Sequence, residues 1–311
     1  MPKLTQPRGI VTAVMTPLDA EGELKKDAFT QLLDLQRDAG VDGVFAAGTF
    51  GEGPYLSLAT KRKLVDFLAD RSELPVVVHV GGAVFSEILE LTRHCNEYDN
   101  VCAVAAVGPF YFKPDIRGLV EFYRSIADVS AKPVYVYNNP GRQGYDIGPD
   151  SFGKIASEVK GVSGIKDTSN KLQQVQTLVK RFGMSHSVYG AGDDTLAEQL
   201  ELGVRGHISG ISNLLPEVVV AIRNSVREGR RDDAIRLQRE INKVGDALRD
   251  FDLDISPYKE LLRLRGIDAG FPARPLRPLS EDERVRLLRA VQPLVASLLK
   301  RPQYPLGAGR S

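Results

Sequence analysis

Residues 162–166 read VSGIK, a short apolar run that ends in Lys166. A second run of the same type, residues 133–137, ends in Tyr137 and continues as NNPGR to Arg142. A lysine at the end of a buried strand loses hydration, which favours the neutral and nucleophilic form of its amine. In a parallel barrel the carboxyl ends of the strands carry the chemistry. The two runs therefore predict an enzyme that forms a Schiff base at Lys166.

Short runs rich in β-branched residues recur through the first two thirds of the chain, and segments with apolar residues at helical spacing lie between them. The runs cover residues 10–14, 43–47, 76–80, 101–107, 133–137, 162–166, 187–190 and 206–210. Strands that alternate with helices form right-handed βαβ units and a parallel sheet. The pattern predicts an α/β protein with a closed (β/α)8 TIM barrel, because an open doubly wound sheet usually has fewer strands and a glycine-rich first turn.

The chain divides on this pattern into a catalytic barrel, residues 1–215, and a C-terminal helical extension, residues 216–300. Amphipathic patterns in the extension cover residues 216–228, 231–265 and 280–300. Residues 270–278 read GFPARPLRP, which is too rich in proline for a helix and predicts an ordered connection, called the strap below. The tail, residues 301–311, is expected to be flexible because it has little to bury.

The composition indicates partners that are small molecules. The chain has 41 basic and 40 acidic residues, so it lacks the basic surface typical of nucleic-acid binding. Cys95 and Cys102 lie in apolar segments and do not suggest a disulfide framework. No apolar stretch approaches the ~18 residues of a membrane span, and the N-terminus lacks the pattern of a signal peptide. We therefore expect a cytoplasmic protein that binds neither nucleic acid nor membrane.

Two other predicted strand ends carry groups that could take part in chemistry. Strand two continues as GTFGEG, which contains Thr49, and strand four continues as PFYFKP, which contains Tyr111. The phenols of Tyr111 and Tyr137 could relay protons, with the Thr49 hydroxyl between them, or the two tyrosines could be packing residues with a polar end. Arg142 could bind a substrate carboxylate through its planar guanidinium, or it could be a solvated loop residue.

The four histidines do not have the spacing of metal ligands, so the sequence predicts no metal site and no cofactor. His79, at the end of strand three, is expected to be an interior histidine bonded to the backbone. After strand seven the chain reads GAGDD, residues 190–194. Barrels often bind phosphate at this position, although Asp193 or Asp194 could instead cap a helix.

Taken together, the ordered strand-end motifs resemble the pyruvate-dependent class I aldolase family that includes dihydrodipicolinate synthase, N-acetylneuraminate lyase and 2-keto-3-deoxygluconate aldolase. The resemblance covers residues 9–279. It implies that Lys166, in GIKDT, forms an imine with pyruvate and that Tyr137, opening Y-N-x-P, is the general acid and base. Thr49, in GTFGE, would link Tyr137 to Tyr111, which in the synthase branch reaches in from a neighbouring subunit. A homotetramer built from tight dimers, or a dimer, is implied.

The resemblance also implies a set of substrate-binding positions. The backbone of Gly190 and Ile208 would help to line the pocket, and Arg142 stands where the synthase branch has the arginine that binds the carboxylate of aspartate semialdehyde. Phe50, however, replaces the second threonine of the family's GTTGE, whose hydroxyl and amide hold the pyruvate carboxylate. Losing a hydrogen bond to a charged group costs about 1.5–3 kcal/mol, or roughly 10- to 150-fold in affinity.

The leading interpretation is therefore a synthase-like lyase of lysine biosynthesis that condenses pyruvate with aspartate semialdehyde. A 2-keto-3-deoxy sugar-acid aldolase is the first alternative, because GPYLS at residues 53–57 and the strap look more like archaeal ketodeoxygluconate aldolases. A hydratase-aldolase is the second, because that branch also carries GTFGE. A non-catalytic protein that binds 2-keto acids is the third, motivated by Phe50.

Overall fold

The computed structural model describes residues 5–251 and 255–299. Eight parallel strands pair in chain order, and the eighth pairs with the first, so the sheet closes into a barrel. The strands are β1 (Ile10–Ala13), β2 (Gly43–Ala46), β3 (Val76–His79), β4 (Val101–Val107), β5 (Val134–Asn138), β6 (Val162–Asp167), β7 (Ser187–Ala191) and β8 (Gly206–Ser209). The predicted (β/α)8 barrel is confirmed, and the predicted runs agree with these strands to within a residue at either end.

At least one α-helix follows each strand. The helices are α1 (Lys26–Asp38), α2 (Leu58–Arg71), α3 (Phe85–Cys95), α4 (Ile116–Val129), α5 (Pro140–Gln143), α6 (Pro149–Glu158), α7 (Leu172–Phe182), α8 (Leu196–Glu201), α9 (Pro216–Arg227), α10 (Arg231–Arg249), α11 (Ser256–Leu261) and α12 (Glu281–Leu299). Short 3-10 helices occur at Gly53–Tyr55, Asp193–Thr195, Ile211–Asn213 and Leu262–Arg265. Within the described residues, no helix is long and apolar enough to cross a membrane.

The two faces of the strands have different neighbours because successive side chains point to opposite sides. In β5, Val134 and Val136 pack outward against the helices, whereas Tyr135 and Tyr137 belong to the cluster inside the barrel. In β6, Ile165 packs outward, so the next residue, Lys166, turns inward. The alternation therefore places the lysine inside the barrel, at the carboxyl end of its strand.

The C-terminal part closes over the barrel mouth and returns to the first βα loop. Leu18 accepts from the amide of Phe271 in the strap (2.8 Å) and donates to the carbonyl of Ala269, just before the strap (3.2 Å). The helical pattern predicted over residues 231–265 is interrupted, because α10 ends at Arg249 and α11 begins at Ser256. The predicted flexible tail lies outside the described residues, and the division at residue 215 stays a prediction.

Candidate active site

Lys166 lies at the centre of the barrel mouth and is almost fully buried, with 4% of its surface exposed. Strand pairing places it beside Tyr137 of β5 and Tyr189 of β7. Its Nζ lies 3.9 Å from the ring centroid of Tyr137 and 4.1 Å from that of Phe45. Lys166 makes no ion pair with a described carboxylate; its partners are these two aromatic faces and the Tyr137 phenol, with which its amine shares a hydrogen bond.

Burial lowers the pKa of Lys166 because the ammonium form is poorly solvated in the barrel. Tyr137, and more weakly Asp193, oppose this effect and raise the pKa part of the way back. The neutral amine is consequently more populated than in an exposed lysine, and the neutral form is the nucleophile. Glycine at position 164 allows β6 to pair closely with β7, since a Cβ there would lie 2.4 Å from the Ser187 carbonyl oxygen.

Tyr137 is fixed by two polar neighbours. The Nδ2 of Asn139 donates to the phenol oxygen at 2.9 Å, and the hydroxyl of Thr49 lies 3.3 Å from it. Burial alone would raise the pKa of Tyr137, but Lys166 and the hydrogen bonds from Thr49 and Asn139 outweigh it, so the pKa is lowered. A phenol with a lowered pKa, beside an amine with a lowered pKa, is suited to proton transfer.

His79 makes an edge contact with the ring of Tyr137, at 5.5 Å between centroids. Its Nδ1 donates to the carbonyl of Ala47 (2.9 Å) and its Nε2 accepts from the amide of Val107 (3.2 Å). Burial lowers the pKa of His79 to about 3, so the ring stays neutral. The prediction of an interior histidine bonded to the backbone is confirmed.

A cavity of about 520 Å³ opens above Lys166 at the carboxyl ends of the strands. Six of the eight predicted site residues line it, namely Thr49, Phe50, Tyr137, Arg142, Lys166 and Ile208. Gly190 lies just before the lining residues Ala191 and Gly192 and packs against Gln199, whose Oε1 is 1.8 Å from the position of a Cβ at Gly190. Helix α10 of the extension forms the far wall of the cavity.

Tyr111 lies away from this cavity in the chain described. It is 91% exposed, its φ angle is +76°, and its ring makes an edge contact with Phe112 at 5.0 Å between centroids. A left-handed backbone is uncommon for a tyrosine and keeps this aromatic pair at the surface. Its predicted role, which requires a second subunit, stays a prediction.

Phe50 occupies the edge of the cavity near the strap. Its ring makes an edge contact with Tyr258 at 5.1 Å between centroids and lies against Gly210, where a Cβ would be 2.3 Å from the ring. Only glycine at position 210 leaves room for this ring. Position 50, where the family that this sequence resembles has a threonine hydroxyl, therefore presents an apolar surface.

Sequence reasoning missed two polar groups of the site. Asn139 bonds to Tyr137, and its place directly after that tyrosine in YNNPGR was the available signal. For Asp193 the sequence indicates only a helix cap, as the alternative to a phosphate site at GAGDD. Its Oδ2 instead accepts from the amides of Gly210 (3.0 Å) and Ile211 (2.8 Å), and its buried Oδ1 has no hydrogen-bond partner among the described residues.

A buried ion pair fixes the loop that carries Thr49 and Phe50. The Nζ of Lys259 lies 2.7 Å from Oε1 of Glu52, and both side chains are almost completely buried. The same Nζ donates to the carbonyls of Thr16 (2.9 Å) and Phe271 (2.5 Å), while Oε2 of Glu52 accepts from the amide of Ala273 (2.5 Å). Helix α11 and the strap thus anchor the loop after β2.

The barrel and the buried lysine at its mouth define the class of the protein, a lysine-dependent aldolase or lyase of class I. The sequence model of the dihydrodipicolinate synthetase family matches residues 6–294. The chain belongs to that family, and it is an enzyme of the pyruvate-dependent class I type.

Relatives with different names match over almost the whole chain. The 4-hydroxy-tetrahydrodipicolinate synthase of Methanothrix thermoacetophila is 31% identical, over 90% of this chain and 94% of that protein. The 2-dehydro-3-deoxy-phosphogluconate/2-dehydro-3-deoxy-6-phosphogalactonate aldolase of Saccharolobus solfataricus is 29% identical, over 94% of this chain and 97% of that protein. A prophage protein of the dihydrodipicolinic acid synthase family from E. coli, solved with pyruvate, superposes with a TM-score of 0.86 at 27% identity, covering 92% of this chain and 98% of that chain.

Proposed function

We propose that Lys166 forms an imine with the keto carbon of pyruvate and that Tyr137 moves the protons of the reaction. The observation that carries this proposal is the burial of the amine against the faces of Tyr137 and Phe45, with Tyr137 itself held by Thr49 and Asn139. The amine is desolvated, and its neighbour can both accept and donate a proton.

The proposed sequence begins when the neutral amine of Lys166 attacks the keto carbon, and Tyr137 protonates the departing hydroxide so that water leaves. The resulting imine withdraws electrons from the methyl carbon of pyruvate. Tyr137, now a phenolate, accepts a proton from that carbon to give an enamine, whose carbon then bonds to the carbonyl carbon of an aldehyde. Tyr137 returns the proton to the aldehyde oxygen, and water releases the product from Lys166. Cleavage follows the same steps in reverse.

Aspartate semialdehyde is the aldehyde that we propose first, as in the dihydrodipicolinate synthases of lysine biosynthesis. Arg142 supports this assignment, because it lies in α5, two residues after Pro140, and lines the cavity that contains Lys166. A planar guanidinium at that position suits the carboxylate of the semialdehyde. The identity to the synthase of Methanothrix thermoacetophila agrees with this proposal.

A 2-keto-3-deoxy sugar acid is the second candidate, and a different wall of the cavity favours it. Asp193, Asn170 and Asn242 all line the cavity, and the buried Oδ1 of Asp193 has no hydrogen-bond partner among the described residues. Carboxylate and amide groups of this kind suit the hydroxyls of a sugar chain. The aldolase of Saccharolobus solfataricus supports the same candidate.

The first experiment is borohydride trapping of the purified protein with pyruvate, followed by peptide mapping. A pyruvate-sized adduct on Lys166 is expected. Folded protein that yields no adduct with pyruvate or larger 2-keto acids contradicts the imine mechanism and favours a protein that only binds 2-keto acids, with Phe50 closing the site.

The second experiment separates the two aldehyde candidates. Wild-type protein is assayed for condensation of pyruvate with aspartate semialdehyde and for cleavage of 2-keto-3-deoxygluconate, together with Arg142→Gln and Asp193→Asn. A synthase loses condensation in Arg142→Gln and retains it in Asp193→Asn. If Arg142→Gln condenses normally and sugar-acid cleavage is fast, the synthase assignment is wrong. A protein that condenses pyruvate with an aromatic aldehyde, but turns over neither aspartate semialdehyde nor 2-keto-3-deoxygluconate, would instead be a hydratase-aldolase.

We further propose a homodimer or tetramer in which Tyr111 approaches the site of a partner. Apolar side chains exposed on three neighbouring βα loops support this assembly, namely Tyr55, Val84, Phe85, Tyr111 and Phe112. Light scattering is expected to show an oligomer, and Tyr111→Phe is expected to lower kcat without dissociating it. A monomer with full activity would contradict the role of Tyr111.

A further inference from the structure

A separate cavity of about 300 Å³ lies at the other end of the barrel, where the strands begin. Its walls come from the segment before β1, the first residues of β6 and β7, and the turns before β7 and β8. The lining residues are Gln6, Arg8, Ser163, Gly183, Met184, Ser185, His186, Ser187, Val188, Gly203 and Arg205. The mechanism at Lys166 uses none of them, and catalytic sites of (β/α)8 barrels lie at the opposite face.

The first observation concerns the charge of this cavity. Arg8 and Arg205 both line it, and no aspartate or glutamate does so among the residues that the structure describes. Arg8 is exposed and makes no ion pair with any described carboxylate. The cavity is therefore cationic, in a chain whose formal net charge is only +1.

The second observation is the environment of Arg205. Five described arginines are half-buried, and four of them form ion pairs with carboxylates, namely Arg37, Arg124, Arg223 and Arg265. Arg205 is the fifth, and no described carboxylate pairs with it. Its Nη2 donates to the carbonyl of Gln6 at 3.1 Å, but its buried Nε has no hydrogen-bond partner in the described part of the chain.

A partly buried guanidinium without a counter-ion is costly, and the neutral Gln6 carbonyl and Tyr189 phenol replace only part of the hydration that its charge loses. An anion in the adjoining cavity would supply the missing partner. Hydroxyl groups in the walls can complete its coordination. Ser185 lies in hydrogen-bond contact with Nδ1 of His186 (2.8 Å), and the buried hydroxyl of Ser163 has no partner among the described residues.

We infer that this cavity binds a small oxyanion, specifically a phosphate group, between Arg8 and Arg205. Two guanidinium groups match the charge of a phosphate dianion, and arginine is the side chain best suited to the geometry of phosphate oxygens. The volume leaves room for an ester substituent on the phosphate. The inference does not rest on the proposed function, since the site lies at the opposite end of the barrel from Lys166.

The test is calorimetric titration of the full-length protein with inorganic phosphate, at constant ionic strength set by chloride. Arg8→Gln and Arg205→Gln are each expected to weaken phosphate binding at least tenfold. Arg93→Gln, an exposed arginine on α3 at the other side of the barrel, is the matched control and is expected to change it less than twofold. Trapping of pyruvate by Arg8→Gln should equal that of the wild type.

Arg205→Gln could fold poorly because Arg205 also bonds to Gln6, so the exposed Arg8→Gln variant keeps the test decisive. Phosphate that binds no better than chloride overturns the inference, as does an equal loss in Arg8→Gln and Arg93→Gln. An effect of Arg8→Gln on oligomeric state alone overturns it too, because a second copy would then cover the cavity. Tighter binding of glycerol phosphate than of inorganic phosphate indicates an organic ester, and the reverse order indicates free phosphate; both support the site.

Discussion

Lys166 and Lys259 are buried to almost the same degree, with 4% and 3% of their surfaces exposed, yet their surroundings differ completely. Lys259 has a carboxylate, Glu52, and two backbone carbonyls within hydrogen-bond distance of its ammonium group. Lys166 has the faces of Phe45 and Tyr137. Both lie near the barrel mouth, but only Lys166 lines the large cavity.

The comparison shows that two lysines can be equally buried and yet have different partners. Burial lowers the pKa of both lysines, and in Lys259 the main opposing effect comes from the Glu52 carboxylate. The ammonium of Lys259 also donates to two backbone carbonyls, so it serves as an anchor. Lys166 has no paired carboxylate among the described residues; its partners are the two aromatic faces and the Tyr137 phenol, with which its amine shares a hydrogen bond.

The largest expected effect is the loss of imine formation when Lys166, but not Lys259, is replaced. Lys166→Ala should abolish the borohydride-trapped pyruvate adduct, because no other described amine lies in the cavity. Lys259→Met should still form the adduct at Lys166 in the folded fraction of the protein. Intact mass and peptide mapping measure both. An adduct on Lys259 in wild-type protein would contradict the expectation that only Lys166 reacts with pyruvate.

Tyr137→Phe should lower kcat by about 10²- to 10⁴-fold, the usual contribution of a positioned general acid or base. The pyruvate adduct should still form, although more slowly, because the ring face against Lys166 remains. Stopped-flow measurement of imine formation and steady-state assays separate the two steps. Unchanged kcat in Tyr137→Phe would assign proton transfer to another group.

Lys259→Met should destabilise the protein by about 3–5 kcal/mol, because the Glu52 carboxylate is left buried without its cation. The double variant Glu52→Gln with Lys259→Met removes both charges and should recover most of that loss. Urea unfolding followed by circular dichroism measures the free energies. If the double variant is as unstable as Lys259→Met, the buried charge is not the cause.

Phe50→Thr tests the loop that the Lys259 anchor holds in place. Restoring a hydroxyl near Lys166 should tighten pyruvate binding by roughly 10- to 150-fold, equivalent to about 1.5–3 kcal/mol for a hydrogen bond to a charged group. The measurement is the pyruvate concentration that gives half-maximal trapping. Phe50→Leu is the matched control, since it replaces the ring by a smaller apolar side chain without adding a hydroxyl. Equal gains in both variants would assign the effect to space rather than to hydrogen bonding.

The smallest effect is a change in pH dependence. Since the pKa of Lys166 is lowered, the rate of imine formation should rise with pH and level off below the ordinary lysine pKa of about 10.5. At pH values between the lowered pKa of native Lys166 and the ordinary pKa of an unfolded lysine, the unfolded chain binds more protons than the native one. The free energy of unfolding should therefore also rise with pH in that range. Lys166→Met should remove that contribution. A rate that still rises up to pH 10.5 would mean an unperturbed amine.

The barrel and the central lysine were predictable because they depend on local patterns. Short β-branched runs alternate with helical segments, and Lys166 and Tyr137 each end such a run. The pairing of Glu52 with Lys259 was not predictable, since it joins distant parts of the chain and Lys259 lies in an unremarkable helical pattern. The role of Asp193 was hidden for a similar reason, because its carboxylate bonds to amides of the next βα loop.

The attachment of the strap to the loop after β2 has a consequence for synthesis. Chains are made from the amino terminus, and Ala273 follows its partner Glu52 by 221 residues. All eight strands have therefore been made before the last support of Thr49 and Phe50 leaves the ribosome. A chain terminated after β8 would contain all eight strands and lack the residues that hold one side of the barrel mouth. The order of synthesis therefore delivers the supports of this loop last.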